Sequence, residues 1–192
     1  MAMNKYLLSC FFMAISCCAN SQLQRLLVQP IDTSVYGVTY RVYAEVKSAG
    51  DQIMVVFGDN ENPLRITSTE PFFQSNAGGA LSTQVRKNQL ETAPDLTYDS
   101  WLTIGREDNY NNQTKSLGLR LTAFEEKGES IEVNDGAWYC LPTDKQSFAD
   151  DSKKILLMQL TTKGEVSGTL SLFGRSAGGE NFELRSIQFS GK

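Results

Sequence analysis

The acidic side chains are the first candidates for chemistry, because the chain contains no histidine. Without it, Ser-His-Asp and Cys-His nucleophile systems in their ordinary forms are excluded. So are zinc, copper and non-haem iron sites built on imidazole. General acid/base work would fall to paired carboxylates. Glu125-Glu126 and Asp150-Asp151 are adjacent pairs, and Asp59 and Glu61 are two apart. Glycosidases hold their two carboxyls on opposite sides of the substrate, roughly 5–10 Å apart. Neighbouring acids on one loop do not suggest that arrangement, and solvated surface charge is the plainer reading. Two Asn-rich loops, Asp59-Asn60-Glu61-Asn62 and Asp108-Asn109-Tyr110-Asn111-Asn112, offer oxygen ligands of the kind calcium takes, with Asp59, Glu61 and Asp108 as the carboxylates. Neither matches an EF-hand loop, and Asn and Asp also favour turns through local hydrogen bonds. Gly78-Gly79 and Gly178-Gly179 lack the following lysine and the strand-to-helix setting of a phosphate loop.

Aromatic rings are the other candidates. Tyr43, Tyr98, Trp101, Tyr110, Trp138 and Tyr139 could offer ring faces to a sugar while nearby amides and acids orient it. Packing in the core or on a sheet face is the alternative for each. On an alternating strand, Trp101 lies beside Asp99 and Thr103 and opposite Leu102 and Ile104, which is the more polar face. Trp101, Asp99, Tyr43 and Tyr110 are therefore the candidate binding residues. Trp138 shares a parity with Cys140 and reads as core.

The elements that must position these residues are strands. Tyr40, Val42, Ala44 and Val46 share one parity, with Arg41 and Glu45 on the other, the period of an antiparallel strand with one wet face. Residues 53–57 are apolar throughout and residues 155–160 are apolar on both sides, and both read as strands covered on both faces. Residues 59–63 and 109–112 are turns by composition. Residues 98–104 read as a strand, Leu117, Leu119 and Leu121 alternate, and Ile131 and Val133 precede an Asn134-Asp135-Gly136 turn signal. In the last strand, Phe182 and Leu184 have one parity and Ile187 and Phe189 the other, which predicts a bulge near Arg185–Ser186. Residues 72–96, broken by Gly78-Gly79, read as a long loop with one short strand, and loops of that length carry function or mobility. No convincing helix is visible, beyond one turn within 143–151. About nine or ten short strands with frequent turns predict an all-β fold, a single antiparallel β-sandwich of jelly-roll type spanning residues 22–192.

The first 21 residues read as an export signal. Lys5 supplies the positive end, an apolar run follows from Tyr6 to Cys18, and Ala19 and Ser21 are small residues before a cut at Gln22. The run is shorter than the roughly 20 residues that span a bilayer, and no other run approaches that length, so no transmembrane span is expected. Acylation at Cys17 or Cys18, as in a lipoprotein, is the alternative fate of this end. Three of the four cysteines fall in the signal, leaving Cys140 without an intrachain partner. A lone thiol in an exported domain behaves as a small hydrophobe and is expected to be buried. The chain carries 22 acids against 18 bases and has no basic run, so nucleic acid and anionic membranes are poor partners.

Several phrases occur together: Thr39-Tyr40-Arg41-Val42-Tyr43-Ala44, Gly58-Asp59 with Pro63-Leu64, Phe73-Gln74 with Gly78-Gly79, Tyr98-Asp99-Ser100-Trp101-Leu102-Thr103-Ile104-Gly105, Gly136-Ala137-Trp138-Tyr139, and Gln159-Leu160-Thr161-Thr162-Lys163-Gly164 with Ser167-Gly168. Together they resemble a domain type of unknown function found in secreted, often multidomain, bacterial surface proteins. The resemblance implies export and a β fold, and no catalytic residue. The expectation is a secreted, non-catalytic module that binds an extracellular glycan or protein, or serves a structural role at the cell surface. The alternative is a carboxylate-based carbohydrate-active enzyme. No cofactor is expected apart from calcium in one of the two Asn-rich loops.

Overall fold

Alternation decides which face of each strand is buried. In β2 (Gly37–Val46), Tyr40, Val42, Ala44 and Val46 are buried, while Arg41 and Glu45 lie on the other face. A computed structural model describes residues 22–191, so the export signal proposed for residues 1–21 lies outside the described residues. Among the described residues, eleven strands form two antiparallel sheets that pack as an all-β sandwich.

The first sheet has the order β1-β2-β9-β5, with β1 (Leu23–Ser34), β9 (Lys154–Thr162) and β5 (Trp101–Leu102). The second is built on β10 (Val166–Arg175). Along one edge of β10, β3 (Gln52–Gly58) pairs with its C-terminal half and β4 (Leu64–Ser68) with its N-terminal half, while β11 (Asn181–Gly191) takes the other edge. Beyond β4 and β3 lie β7 (Ile131–Val133) and β8 (Gly136–Tyr139), and β6 (Lys115–Leu117) closes that side. The turn signal at Asn134-Asp135 therefore does not reverse the chain. It steps a single course of backbone from β7, paired to β4, onto β8, paired to β3. Residues 59–63 make the matching step on the neighbouring course.

The predicted bulge is present. Register shifts between Leu170↔Ile187 and Leu172↔Leu184, leaving Arg185 and Ser186 opposite Ser171, and Ser186 takes φ 52°. Both bulge residues hold the 59–63 step: Arg185 pairs with Asp59, and Ser186 Oγ donates to Asn62 Oδ1 at 2.7 Å.

Three expectations change. The strand read over 98–104 shrinks to β5, because Pro94–Tyr98 winds into a 3₁₀ turn started by Pro94. The alternation at 117–121 stops at Leu117, which is 72 % exposed, since Gly118 at φ 71° breaks the strand. A short helix, α1 (Thr122–Lys127), follows; it buries Phe124 edge-on against Phe72 and ends on Gly128 in the left-handed region at φ 66°. The sequence carries the stop signal, Lys127-Gly128, but six residues are too few for a helical period to show.

β9 is buried on both faces, as its apolar run predicts. Its inner face joins the core between the sheets, and its outer face is roofed by residues 72–98. That segment is irregular, held by 3₁₀ turns at Ser82–Gln84, Lys87–Gln89 and Pro94–Tyr98 and by single bridges at Phe72 and Leu81.

Cys140 is 3 % exposed in the main core. Its Sγ lies 3.1 Å from Gln146 Nε2 and 3.9 Å from Thr114 Oγ1. Burial is the largest influence on the thiol and carries its pKa up to about 11. The thiolate is the reactive form, so a disulfide-exchange reagent is expected to leave the native protein unlabelled at pH 8 and to label it fully in denaturant. Rapid labelling in native buffer, or a covalent dimer on a non-reducing gel, would contradict this burial.

Candidate binding groove

A groove runs over the outer face of the four-stranded sheet. At one end a cleft of about 380 Å³ is lined by Gln29, Tyr43, Glu107, Phe148, Asp150 and Lys154. It leads into a narrower cleft of about 120 Å³ lined by Arg41, Leu90, Trp101, Glu107, Asp108 and Gln159. An open mouth follows, formed by Lys87, Asn88, Asp108, Asn109 and Tyr110. Glu107 is common to the first two clefts, and Lys87 and Asp108 to the last two, so the three adjoin in a row. The floor comes from outward-facing residues of β2 and β9. The walls come from residues 85–110 and 146–152.

Ion pairs set the electrostatics of the groove. Arg41 lies on the wet face of β2 and grips Glu107 with both terminal guanidinium nitrogens, at 2.7 and 2.8 Å. Its Nε also donates to Gln159 Oε1 at 3.3 Å. Gln159 in turn donates from Nε2 to the carbonyls of Thr97 and Asp99, at 3.0 and 2.9 Å, which ties the roof segment to β9. Lys87 pairs with Asp108 at 2.8 Å, and the Tyr110 amide donates to the other Asp108 oxygen at 2.7 Å. Burial is the largest single influence on Asp108 and pushes its pKa up, but the Lys87 ammonium and the Tyr110 amide outweigh it, and the carboxyl ends below its ordinary value.

Of the four candidate binding residues, Tyr43, Trp101 and Tyr110 line this groove, but only one of them offers an open ring. Tyr110 is 73 % exposed at the mouth. Tyr43 is half-buried and leans on a small cluster of Val85, Leu96, Trp101 and Leu156. Trp101 is 2 % exposed, so it is a support beneath the narrow cleft and not a sugar platform. The face that alternation marked as polar is covered by the roof segment, which a strand pattern cannot reveal. Asp99 is fully buried for the same reason. Its carboxyl group accepts the amides of Ser75 at 2.8 Å and Gly79 at 3.1 Å, and Gly78, whose missing side chain would collide with it, lets the chain pass close by. Burial is the main influence on Asp99 and lifts its pKa to about 7 against the pull of those amides.

Asp59 and Asp108, two of the three calcium candidates, have their carboxylate oxygens engaged within the protein. Asp59 Oδ1 accepts the amides of Glu61 at 2.9 Å and Asn62 at 2.7 Å, and Oδ2 meets Arg185. Asp108 is engaged by Lys87 and the Tyr110 amide, as described. Among the described residues no group of three or more acids and cysteines is placed to hold a metal ion.

Sequence reasoning missed Arg41, Lys87, Glu107, Phe148 and Gln159. Arg41 was legible as an outward residue of an alternating strand. Its partner lies 66 residues away on a loop, and no local pattern joins the two. Phe148 is 43 % exposed just after a 3₁₀ turn, bridged to Gln52, and only the fold shows that it stands at the groove's end. No protein family, curated protein or solved structure matches the chain.

Proposed function

We propose that this chain is a secreted, non-catalytic β-sandwich module that binds an extended glycan along the groove. The observation that carries this reading is the row of three adjoining clefts, with an exposed ring near each end, Phe148 and Tyr110, and hydrogen-bonding ion pairs between them. Rings suit the apolar faces of sugars, and fixed carboxylates, guanidinium and amides suit their hydroxyls. The groove's carboxylates favour binding over hydrolysis. A glycosidase needs one acid that still holds its proton at working pH. Here Asp108 is held as the anion by Lys87 and the Tyr110 amide, and hydrogen bonds from Ser152 hold Asp150 below its ordinary value. Export is supported by Lys5, the apolar run to Cys18 and the small residues Ala19 and Ser21.

Tyr110 and Phe148 are exposed, so removing either ring should change stability by no more than about 0.5 kcal/mol. The double variant Tyr110→Ala, Phe148→Ala is expected to bind a polysaccharide ligand about tenfold or more weakly than wild type, measured by affinity electrophoresis. Unchanged migration of the double variant would overturn the groove as the binding site.

A further inference from the structure

We propose that a second cleft, at the tip of the β1–β2 hairpin, is a subsite for one neutral sugar ring with adjacent free hydroxyls. The cleft measures about 380 Å³ and lies between Val35 and Tyr36 at the hairpin tip, residues 70–74, and the C-terminal end of α1. It shares no lining residue with the groove and stands on its own observations. Its volume falls within the range of roughly 300–1,000 Å³ that holds small molecules.

Three features point to the ligand. Tyr36 stacks on Phe73 with ring centroids 3.8 Å apart, and Tyr98 adds a third ring 5.8 Å from Tyr36. Beside them Val35 is 78 % exposed, so the hairpin tip carries a bare apolar surface suited to the C–H face of a pyranose. The second feature is Gln74, which lines the cleft while its carboxamide nitrogen and oxygen are both buried and both without a hydrogen-bond partner. Such a group is costly until it is paired. A carboxamide sets a donor beside an acceptor, and two adjacent hydroxyls, each able to give and accept, complement it with both bonds. Both amide atoms are buried, so binding requires the Gln74 side chain to turn its amide into the cleft. The third feature is charge. Glu70 and Glu126 balance Lys127 and Lys163 around the rim. The rim offers donors and acceptors with no net charge, which suits a neutral polyol and gives no advantage to an anionic or cationic ligand.

The test is an NMR titration of the secreted protein with the methyl glycosides of glucose, galactose and mannose, with glucuronate for comparison. At least one neutral glycoside is expected to shift the Gln74 side-chain amide together with the ring signals of Tyr36 and Phe73, and glucuronate to shift them less. Gln74→Leu is expected to abolish the response while raising the thermal midpoint, because an unpartnered buried amide is replaced by an apolar side chain. The groove variant Tyr110→Ala, Phe148→Ala should respond like wild type, so this site and the groove can fail separately. A response unchanged in Gln74→Leu, a preference for glucuronate, or no perturbation by any of the three glycosides would overturn the proposal.

Discussion

Trp101→Ala is expected to destabilise the domain by about 3–5 kcal/mol, the cost of deleting a large buried ring from a site that cannot collapse. The ring is 2 % exposed and packs against Val85, Leu96 and Leu156, away from the main core. Val85 and Leu96 belong to the irregular roof segment, whose own backbone bonds are mostly those of single short turns. Leu156 belongs to β9, and Trp101 itself pairs with Gln159 of that strand. Loss of the indole leaves a void between roof and sheet and loosens the segment that forms one wall of the groove. For a domain of this size each kcal/mol moves the thermal midpoint by roughly 2–4 °C, so a fall of about 10 °C is expected in a melting scan. Glycan affinity should fall with it. A loss below about 1 kcal/mol in urea unfolding would show that Trp101 does not hold the roof to the sheet.

Asp99 gives the second large effect, and it appears as pH dependence. Folded Asp99 keeps its proton up to about pH 7, because burial disfavours the anion, whereas the same group in an unfolded chain releases it near 3.8. Between these values the folded state binds more protons than the unfolded state, so stability falls as pH rises. The contribution is complete below pH 3.8 and gone above about pH 7, and its full size is on the order of 4 kcal/mol. The carboxyls with lowered values, Asp59, Asp108 and Asp150, act the other way and only at the acid end, where their stabilisation disappears as pH falls through their folded values. The window from pH 5 to 7 therefore isolates Asp99. Asp99→Asn sets an amide NH₂ against one of the backbone amides of Ser75 and Gly79, so it should be less stable than wild type at pH 5. It has no proton to lose, so its stability should stay level from pH 5 to 7 while that of the wild type declines. Parallel declines in the two proteins would contradict a titrating Asp99.

The pattern of period two made the strands legible, together with their buried faces, because a sheet face is written locally in alternate residues. The bulge at Arg185–Ser186 was legible for the same reason, as a slip in parity within one strand. What stayed hidden depends on contacts far apart in the chain. The outer face of β9 looked buried from its composition, but nothing local shows that residues 72–98 do the burying. That one fact moves Trp101 and Asp99 from a polar surface into the interior. The groove is hidden in the same way, since Arg41 and Glu107, or Tyr43 and Phe148, meet only after the sheet and its loops are assembled. Helix α1 escaped because a strand-like alternation of leucines runs directly into it and its six residues show less than two full turns.

The most direct test of the central claim is a binding series with the secreted protein against oligosaccharides of increasing length from one polysaccharide that it retains, with product analysis of the same mixtures. A groove of three linked clefts predicts that affinity climbs with chain length and levels off once the oligosaccharide spans from Phe148 to Tyr110, with every oligosaccharide recovered intact. Affinity that is the same for the shortest and longest chains, or shortened products that vanish when Glu107 or Asp108 is replaced by its amide, would contradict a non-catalytic module that holds an extended glycan.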